Sequence, residues 1–293
     1  MRLAAFGECM LEMRAQPDGA YRLAYGGDVF NTAVYARQLG LDVSFVSAVG
    51  DDHFSGWLLD AWAGHDLNLD GVRRISGATP ALYVIRNDEH GERTFTYWRS
   101  ASPFRRVLQE DRAATAAFAF SHDVVVWSGI TLALLPPDDR HWWLEQLAAY
   151  QAGGGVVAFD GNYRPVLWRS ADEARAWLER AWGCADCALP SVDDELALHG
   201  DADPAAVIAR VAACGAGEVV LKQGAQGCTV GERHFALPRV ETVLDATAAG
   251  DAFNAGYLAV RLAGGEVDAA VAEGQRVAAI VVRHEGAICE LGS

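Results

Sequence analysis

Short apolar runs alternate with longer segments of helical periodicity along most of this chain, and no other feature of the sequence constrains its fold as strongly. Runs rich in valine, leucine and phenylalanine predict buried strands at Leu3–Phe6, Val43–Val49, Val124–Trp127, Val156–Phe159 and Val219–Leu221. The segments between them predict helices at Val29–Leu39, His53–Ala63, Arg140–Tyr150, Glu173–Trp182 and Pro204–Cys214. Elements in this order form a mostly parallel α/β sheet with helices on both faces.

Two segments interrupt that rhythm and predict a second, smaller sheet. Within residues 80–99, two runs of β-forming residues flank the turn-like cluster Asn87–Gly91, which predicts a hairpin. Residues 11–25 show a similar pattern around Pro17-Asp18-Gly19. We expect these segments to form a lid beside the main sheet. The sequence shows no repeat or linker, so residues 1–293 are predicted to form a single domain that carries this lid.

Composition excludes several classes of protein. The net charge of −15 disfavours binding to nucleic acid or to anionic membranes, because both require clustered lysine and arginine. The sequence contains no apolar run long enough to span a membrane and no signal-peptide pattern at its start. Its six scattered cysteines are typical of reduced cytosolic thiols, and the single C-x-x-C pair, Cys184 and Cys187, is expected only to pack. A cytoplasmic protein is therefore predicted.

The most informative motif lies near the carboxyl end. Residues Asp245–Gly256 read DATAAGDAFNAG, in which small residues precede a predicted helix. The unpaired N–H groups of a helix's first turn and the helix dipole favour a bound anion such as phosphate. A carboxylate there, Asp251, can accept the proton of a hydroxyl that attacks phosphorus; the alternative is that Asp251 caps the helix. Neither the P-loop motif nor G-x-G-x-x-G occurs, so these two nucleotide-binding folds are not expected.

The same residues resemble the C-terminal signature of the ribokinase-like (PfkB) carbohydrate kinases, D-T-x-[GA]-A-G-D-x-F. Gly26-Gly27-Asp28-x-x-Asn31 resembles the N-terminal signature of that family. The resemblance implies a ribokinase-like fold, ATP as phosphoryl donor, Mg²⁺ and in addition a monovalent cation such as K⁺. It implies that Asp251 is the catalytic base and that an anion hole is formed by backbone N–H groups, those of Ala248, Ala249 and Gly250.

Further binding residues follow from the resemblance. It assigns the sugar to the N-terminal turn, at Gly26, Gly27, Asp28 and Asn31. It assigns the nucleotide to Ser191, Lys222, Gly224, Gly227 and Gly250, and the metal to Asp194 and Asp245. Ser191-Val192-Asp193-Asp194 departs from the N-x-x-E pattern of the family, although serine and aspartate still offer oxygen ligands.

Three further clusters indicate the sugar: Tyr97-Trp98-Arg99, Asp160–Pro165 and Ala188–Glu195. They resemble the 2-keto-3-deoxygluconate kinases of this family, a resemblance that assigns an acid sugar to four side chains, Tyr83, Tyr97, Arg99 and Arg164. Arginine suits such a substrate because its planar donor group binds carboxylates in a bidentate manner. Trp98 and most other aromatic residues are expected to pack in the core.

Two alternatives remain open at this stage. One is a kinase of a neutral sugar, such as fructose or ribose, and the other is a sugar- or nucleotide-binding protein without catalysis. Exposed lid strands offer edges that can pair between subunits, which favours a homo-oligomer.

Overall fold

A computed structural model describes residues 1–16, 18–87, 93–238 and 242–292. Thirteen strands lie in these ranges. In chain order they are β1 (Arg2–Phe6), β2 (Met10–Ala15), β3 (Tyr21–Gly26), β4 (Asp42–Val49), β5 (Val72–Arg74), β6 (Leu82–Asn87), β7 (Arg93–Trp98), β8 (Val124–Ser128), β9 (Val156–Asp160), β10 (Cys187–Ala188), β11 (Glu218–Lys222), β12 (Cys228–Val230) and β13 (Arg233–Phe235).

Ten α-helices connect the strands of the described ranges. They are α1 (Asp28–Gln38), α2 (His53–Ala63), α3 (Val107–Ala119), α4 (Gly129–Leu134), α5 (Pro137–Ala152), α6 (Ala171–Trp182), α7 (Val192–His199), α8 (Pro204–Ala213), α9 (Ala249–Leu262) and α10 (Val267–Val281). Short 3₁₀ helices lie at Pro103–Arg106, Pro165–Leu167 and Gly224–Gln226.

The main sheet has nine strands in the order β13-β12-β11-β10-β9-β8-β1-β4-β5. All neighbouring pairs are parallel except β11–β12 and β12–β13. The chain leaves β1 towards β4 on one side and later returns to β8 on the other, so strand order reverses next to β1. In open α/β sheets, ligands bind beyond the carboxyl ends of the strands at such a reversal. Glu8, Ser128 and Asp160 lie at or just after these strand ends.

Local sequence explains where several helices begin. The Ser170 side chain accepts a hydrogen bond from the Glu173 N–H at the start of α6, and Asp203 accepts one from Ala206 before α8, where Pro204 occupies the first helical position. These caps satisfy N–H groups that have no partner within the helix. The two faces of the sheet then bury separate apolar clusters, one centred on Trp127 and the other including Phe30.

The lid is a four-stranded sheet in the order β3-β2-β6-β7. β2 pairs antiparallel with β3 and parallel with β6, while β6 and β7 form the antiparallel pair expected of a hairpin. The predicted hairpin turn, Asn87–Gly91, lies almost wholly outside the described residues, and so does Pro17 of the other predicted turn. The small sheet expected from residues 11–25 and 80–99 is confirmed.

The five predicted core strands and five predicted helices are all present, within about three residues at each end. The prediction that Trp98 packs in the core is wrong, because its side chain is 58% exposed on edge strand β7. None of the helices in the described ranges is long and apolar enough to cross a membrane.

Candidate active site

The loop before α9 ends in an unusual backbone conformation. Ala248 has φ +62° and ψ +10°, a left-handed conformation that costs an L residue about 1 kcal/mol and that glycine adopts freely. Ala248 itself is the residue that precedes the helix, so Asp251 is the third residue of the first turn and not the N-cap. The helix-cap alternative for Asp251 is therefore wrong. The N–H of Ala249 bonds weakly to the Ala246 carbonyl, at 3.3 Å.

Asp251 projects into a polar cleft where α9 meets α1. Asn31, which is buried on α1, donates a 2.8 Å hydrogen bond from Nδ2 to Oδ2 of Asp251. Burial raises the pKa of Asp251 to about 8, and repulsion from Asp28 and Asp160 adds to the effect, while Asn31 and Lys222 oppose it. A carboxyl group with a pKa near the working pH is well suited to proton transfer.

The neighbouring carboxylates are each held by an amide or an amine. The Lys222 ammonium lies 2.8 Å from Oδ2 of Asp160, and Asn254 donates to the same oxygen at 2.6 Å. Asn162 donates to Asp28 at 2.9 Å. Burial raises the pKa of Asp28 as well as that of Asp251, and repulsion among the three carboxyl groups that share this cleft adds to the effect.

An apolar groove opens on one side of Asp251. We use this name for the cavity of about 380 Å³ between the β11–β12 connection, α9 and α10. Among its lining residues are Lys222, Gly224, Gly227 and Gly250, four of the five residues predicted to bind nucleotide. Gly227 has φ +99°, and a Cβ there would lie 2.0 Å from the Phe235 carbonyl oxygen, so only glycine fits. A groove of this size and lining suits the flat apolar face of a nucleobase.

A larger cleft opens on the other side. The arginine cleft, as we call it, has a volume of about 820 Å³ and lies between the lid and the carboxyl ends of the sheet. Its lining includes Gly27, Asp28, Tyr97, Arg99 and Arg164, which are sugar-binding residues predicted from sequence.

Three residues predicted to bind sugar do not line the arginine cleft: Asn31, which holds Asp251, and Gly26 and Tyr83, which lie beside the cleft. Gly26 is packed against the Tyr83 hydroxyl, since a Cβ at Gly26 would lie 3.1 Å from that oxygen. The Tyr83 hydroxyl itself donates a short hydrogen bond to Glu12 of the lid. Tyr83 is buried, whereas Tyr97, its partner across the β6–β7 pair, is 46% exposed in the cleft. Of the two tyrosines, Tyr97 is the one in a position to touch a ligand.

The two predicted metal ligands differ in how they are engaged. Asp245 is buried, and its oxygens accept hydrogen bonds from the backbone N–H groups of Thr247 and Gly286, at 2.8 and 3.0 Å, and from Arg14 at 3.2 Å. Asp194 is partly exposed and pairs with Arg164 at 3.3 Å. The described residues contain no group of three His, Cys, Asp or Glu side chains arranged to hold a metal.

Mg²⁺ in phosphoryl-transfer sites is usually bound by one or two carboxylates together with phosphate oxygens and water. Asp194 fits that role, because its carboxylate is partly exposed and Asp160 lies nearby as a further carboxylate. Asp245 fits a structural role better, because ligating a metal would break the hydrogen bonds that shape the loop before α9. Ser191 does not line the apolar groove; its backbone pairs with that of Lys222 at the start of α7.

One residue at the site, Arg105, lies outside every motif found in the sequence. Asp160 and Asn162 lie in the cluster Asp160–Pro165, directly after a predicted strand, and Asn254 lies in the motif Asp245–Gly256. None of these three has an individual role predicted from sequence. Glu8 is buried and binds Arg99 at 2.5 Å, a pairing across 91 residues for which the sequence offers no local pattern.

Comparison with known proteins agrees with this geometry. Residues 2–291 match the family model described as pfkB family carbohydrate kinase. The 2-dehydro-3-deoxygluconokinase of Escherichia coli (strain K12) is 41% identical over 299 residues, which cover 98% of this chain and 96% of that protein. A fructokinase of Klebsiella pneumoniae is 33% identical over 250 residues, or 83% and 79% of the two chains.

Solved structures extend the likeness to the fold. The crystal structure of a fructokinase with bound ATP from Xylella fastidiosa superimposes with a TM-score of 0.83 at 27% identity, over 98% of this chain and 93% of that one. The ribokinase-like fold implied by the sequence motifs is thereby confirmed. From its sequence match along nearly the whole length and from its fold, the chain belongs to the pfkB family of carbohydrate kinases.

Proposed function

We propose that this protein is an ATP-dependent 2-keto-3-deoxygluconate kinase, which transfers the γ-phosphoryl group to the 6-hydroxyl of its sugar acid. The observation that carries the proposal is the position of Asp251, which follows Gly250 of the groove suited to a nucleobase and lies near Asp28 of the cleft lined by arginine. Relatives named 2-dehydro-3-deoxygluconokinase are up to 41% identical over nearly the full length, and the fructokinase similarity is lower and shorter. The described chain would act as one catalytic unit with its lid.

In this mechanism, ATP lies along the apolar groove with its phosphates directed towards the start of α9. Asp251 accepts the proton of the 6-hydroxyl as the oxygen attacks phosphorus. Backbone N–H groups at Ala248, Ala249 and Gly250 donate to the phosphoryl oxygens, where the helix dipole favours negative charge. Lys222, held on Asp160, places a cation near these oxygens. Mg²⁺, for which we propose Asp194 as the protein contact, would neutralise phosphate charge.

Substrate choice is tested by measuring ADP release and sugar phosphate formation with a panel of acid and neutral sugars. We expect kcat/KM for 2-keto-3-deoxygluconate to exceed that for fructose or ribose by at least about a hundredfold, because a site built to pair a carboxylate rejects analogues that lack it. ³¹P NMR of the product should show phosphate at the 6-position. A preference for fructose would assign the chain to the neutral-sugar kinases instead.

The raised pKa of Asp251 predicts a pH profile. A general base must be ionised, so activity should rise as pH increases through the pKa of this carboxyl, which is about 8 in the free protein. We therefore expect log kcat/KM for the sugar to climb with a slope near one at acidic pH and to level off at alkaline pH.

Asp28→Asn provides the matched comparison for that profile. It removes the largest like-charge contribution to the pKa of Asp251, so the rising part of the pH profile, its acid limb, should move to lower pH, whatever the change in absolute rate. A limb whose position is the same in both proteins would contradict this electrostatic account.

We further propose a cytoplasmic homo-oligomer joined through the lid. Its edge strands are β3 and β7, which carry exposed Tyr21, Leu23 and Trp98. All six cysteines are free thiols, which suits a reducing compartment.

A further inference from the structure

A side-chain cation of the protein itself lies against the loop before α9. Arg14 of lid strand β2 places its guanidinium between the buried carboxylates of Glu12 and Asp245. Its Nη1 lies 3.2 Å from Oδ2 of Asp245, while its Nε and Nη2 lie 3.3 and 3.2 Å from Oε1 of Glu12. Burial acts to lower the pKa of Arg14, but attraction to Glu12 and the contact with Asp245 raise it overall. The positive charge between these two acids is therefore permanent.

Asp245 connects this charge to the residues that begin α9. Its Oδ1 accepts a hydrogen bond from the Thr247 N–H at 2.8 Å, in the loop that leads directly to Ala248 and Gly250. Its Oδ2 accepts one from the Gly286 N–H at 3.0 Å, in addition to the bond from the lid arginine. The orientation of the N–H groups proposed to bind phosphate therefore depends on a carboxylate whose charge is balanced from the lid.

The family resemblance implies a monovalent cation and assigns a metal to Asp245, but the surroundings of Asp245 do not fit such an ion. A protein binds K⁺ by replacing its hydration shell with several oxygen atoms. Here the Asp245 oxygens accept hydrogen bonds from three N–H donors. In the adjacent turn, the Ala287 carbonyl oxygen accepts one from the Tyr35 hydroxyl at 2.7 Å. An ion in contact with Asp245 would also lie close to the Arg14 guanidinium, which would repel it.

From this arrangement we propose that Arg14 is a positioning residue for phosphoryl transfer, whose guanidinium takes the place of a monovalent cation at Asp245, so that the reaction requires no K⁺. The inference rests on the proposed function, in which the N–H groups before α9 bind the phosphoryl oxygens. Without a cation at this position, the buried carboxylates of Glu12 and Asp245 would repel each other and the phosphates of the nucleotide. A guanidinium that is part of the chain prevents this repulsion whatever salt is present.

The test measures kcat/KM for ATP in KCl and in tetramethylammonium chloride at equal ionic strength, with Mg²⁺ held constant. For the wild type we expect less than about a twofold difference between the two salts, because screening is equal and no ion site has to be filled. Arg14→Ala in tetramethylammonium should lose about ten- to hundredfold in kcat/KM, the loss expected when hydrogen bonds to a charged group are removed. K⁺ should recover about fivefold or more of this loss by binding between the two exposed carboxylates.

Arg22→Ala is the matched control on the same sheet. Arg22 is the partner of Arg14 in the β2–β3 pair and is exposed, so its removal takes an equal charge from the lid and leaves the contact between Arg14 and Asp245 in place. Its kinetics should stay within about twofold of the wild type in both salts.

Two further measurements keep the test independent of catalysis and of folding defects. Arg14→Lys retains a positive charge and should recover most of the Arg14→Ala loss without K⁺. Calorimetric affinity for ADP should show the same salt dependence as the kinetics. In thermal melting, replacing tetramethylammonium by K⁺ should stabilise Arg14→Ala more than the wild type, because only the variant gains a bound ion.

Three results would overturn the inference. Activation of the wild type by K⁺ of about tenfold or more would reveal a cation site that Arg14 does not fill. Wild-type kinetics of Arg14→Ala in tetramethylammonium would show that no cation is needed at Asp245. A loss that neither K⁺ nor Arg14→Lys recovers would leave Arg14 with a purely structural role. If the wild type phosphorylates no sugar acid, the proposed substrate is wrong, and the ADP affinities in the two salts still decide the role of Arg14.

Discussion

Replacing Asp251 by Asn should lower kcat by about two to four orders of magnitude, the range expected when a positioned general base is lost. The amide keeps the size of the side chain and can still bond to Asn31, but it cannot accept the hydroxyl proton. Steady-state kinetics at saturating ATP and sugar would measure the loss. Calorimetric binding of both ligands to the variant should stay within about tenfold of the wild type, because neither binding surface depends on the charge of Asp251.

The same substitution should stabilise the folded protein, and this stabilisation should be larger at higher pH. The folded-state pKa of Asp251 is raised, so between its ordinary value of 3.8 and about 8 the unfolded chain is ionised while the folded chain holds a proton. The cost of keeping this acid in the fold therefore grows as pH rises through that interval. Asn pays no such cost, and the free energy of unfolding should increase by about 1–3 kcal/mol at pH 8 and little near pH 4. If the variant and the wild type are equally stable at pH 8 as well as at pH 4, then the pKa of Asp251 is not raised in the folded protein. If the variant keeps more than 1% of wild-type activity, then Asp251 is not the catalytic base.

Replacing Gly27 by Ala should destabilise the protein by about 3 kcal/mol and abolish activity. An added Cβ at Gly27 would lie 2.0 Å from the Glu8 carbonyl oxygen and 3.1 Å from the Cys9 Cα, both backbone atoms that cannot move without separating β1 from α1. That separation would displace Glu8 from Arg99 and Asn31 from Asp251 together. Urea unfolding followed by tryptophan fluorescence measures the loss of stability.

Gly26→Ala is the natural control, one residue away. Its Cβ would meet the Tyr83 hydroxyl at 3.1 Å, a tight contact with the end of a side chain, so the loss should stay below about 1 kcal/mol. If the two variants are equally stable, then the turn before α1 is more adaptable than its close backbone contact indicates.

The core of the fold could be predicted from sequence because strands buried on both faces leave unbroken apolar runs. Val124–Ser128 and Val156–Asp160 are such runs, and both were expected. Helices α3 and α10 were not expected. Helix α3 is interrupted at Asp111, where φ is −158°, so its periodicity changes partway along the helix. Strands β12 and β13 have three residues each, too few for an alternating pattern to be recognised.

The candidate site could be predicted where a role depends on backbone shape or on position after a strand. Gly227 and Asp251 are of this kind. Gly227 lines the apolar groove, and Asp251 lies in the first turn of α9. Charge pairing between distant segments could not be predicted. Lys222 was assigned to nucleotide, yet its nearest charged partner is Asp160, 62 residues earlier, and Arg99 turns out to be neutralised by Glu8. Such pairings depend on which strand ends meet, and only the folded topology decides that.

Arg14 connects the lid with the loop before α9, two parts to which the proposed mechanism assigns different substrates. It belongs to lid strand β2, where it binds Glu12, and its guanidinium also reaches Asp245, whose carboxylate shapes the loop before α9. Under the proposed mechanism, a shift of the lid on sugar binding would change the length of this ion pair and so act on the loop proposed to bind phosphate. The affinities for sugar and for nucleotide would then be thermodynamically linked, and each ligand would change the affinity for the other by the same factor.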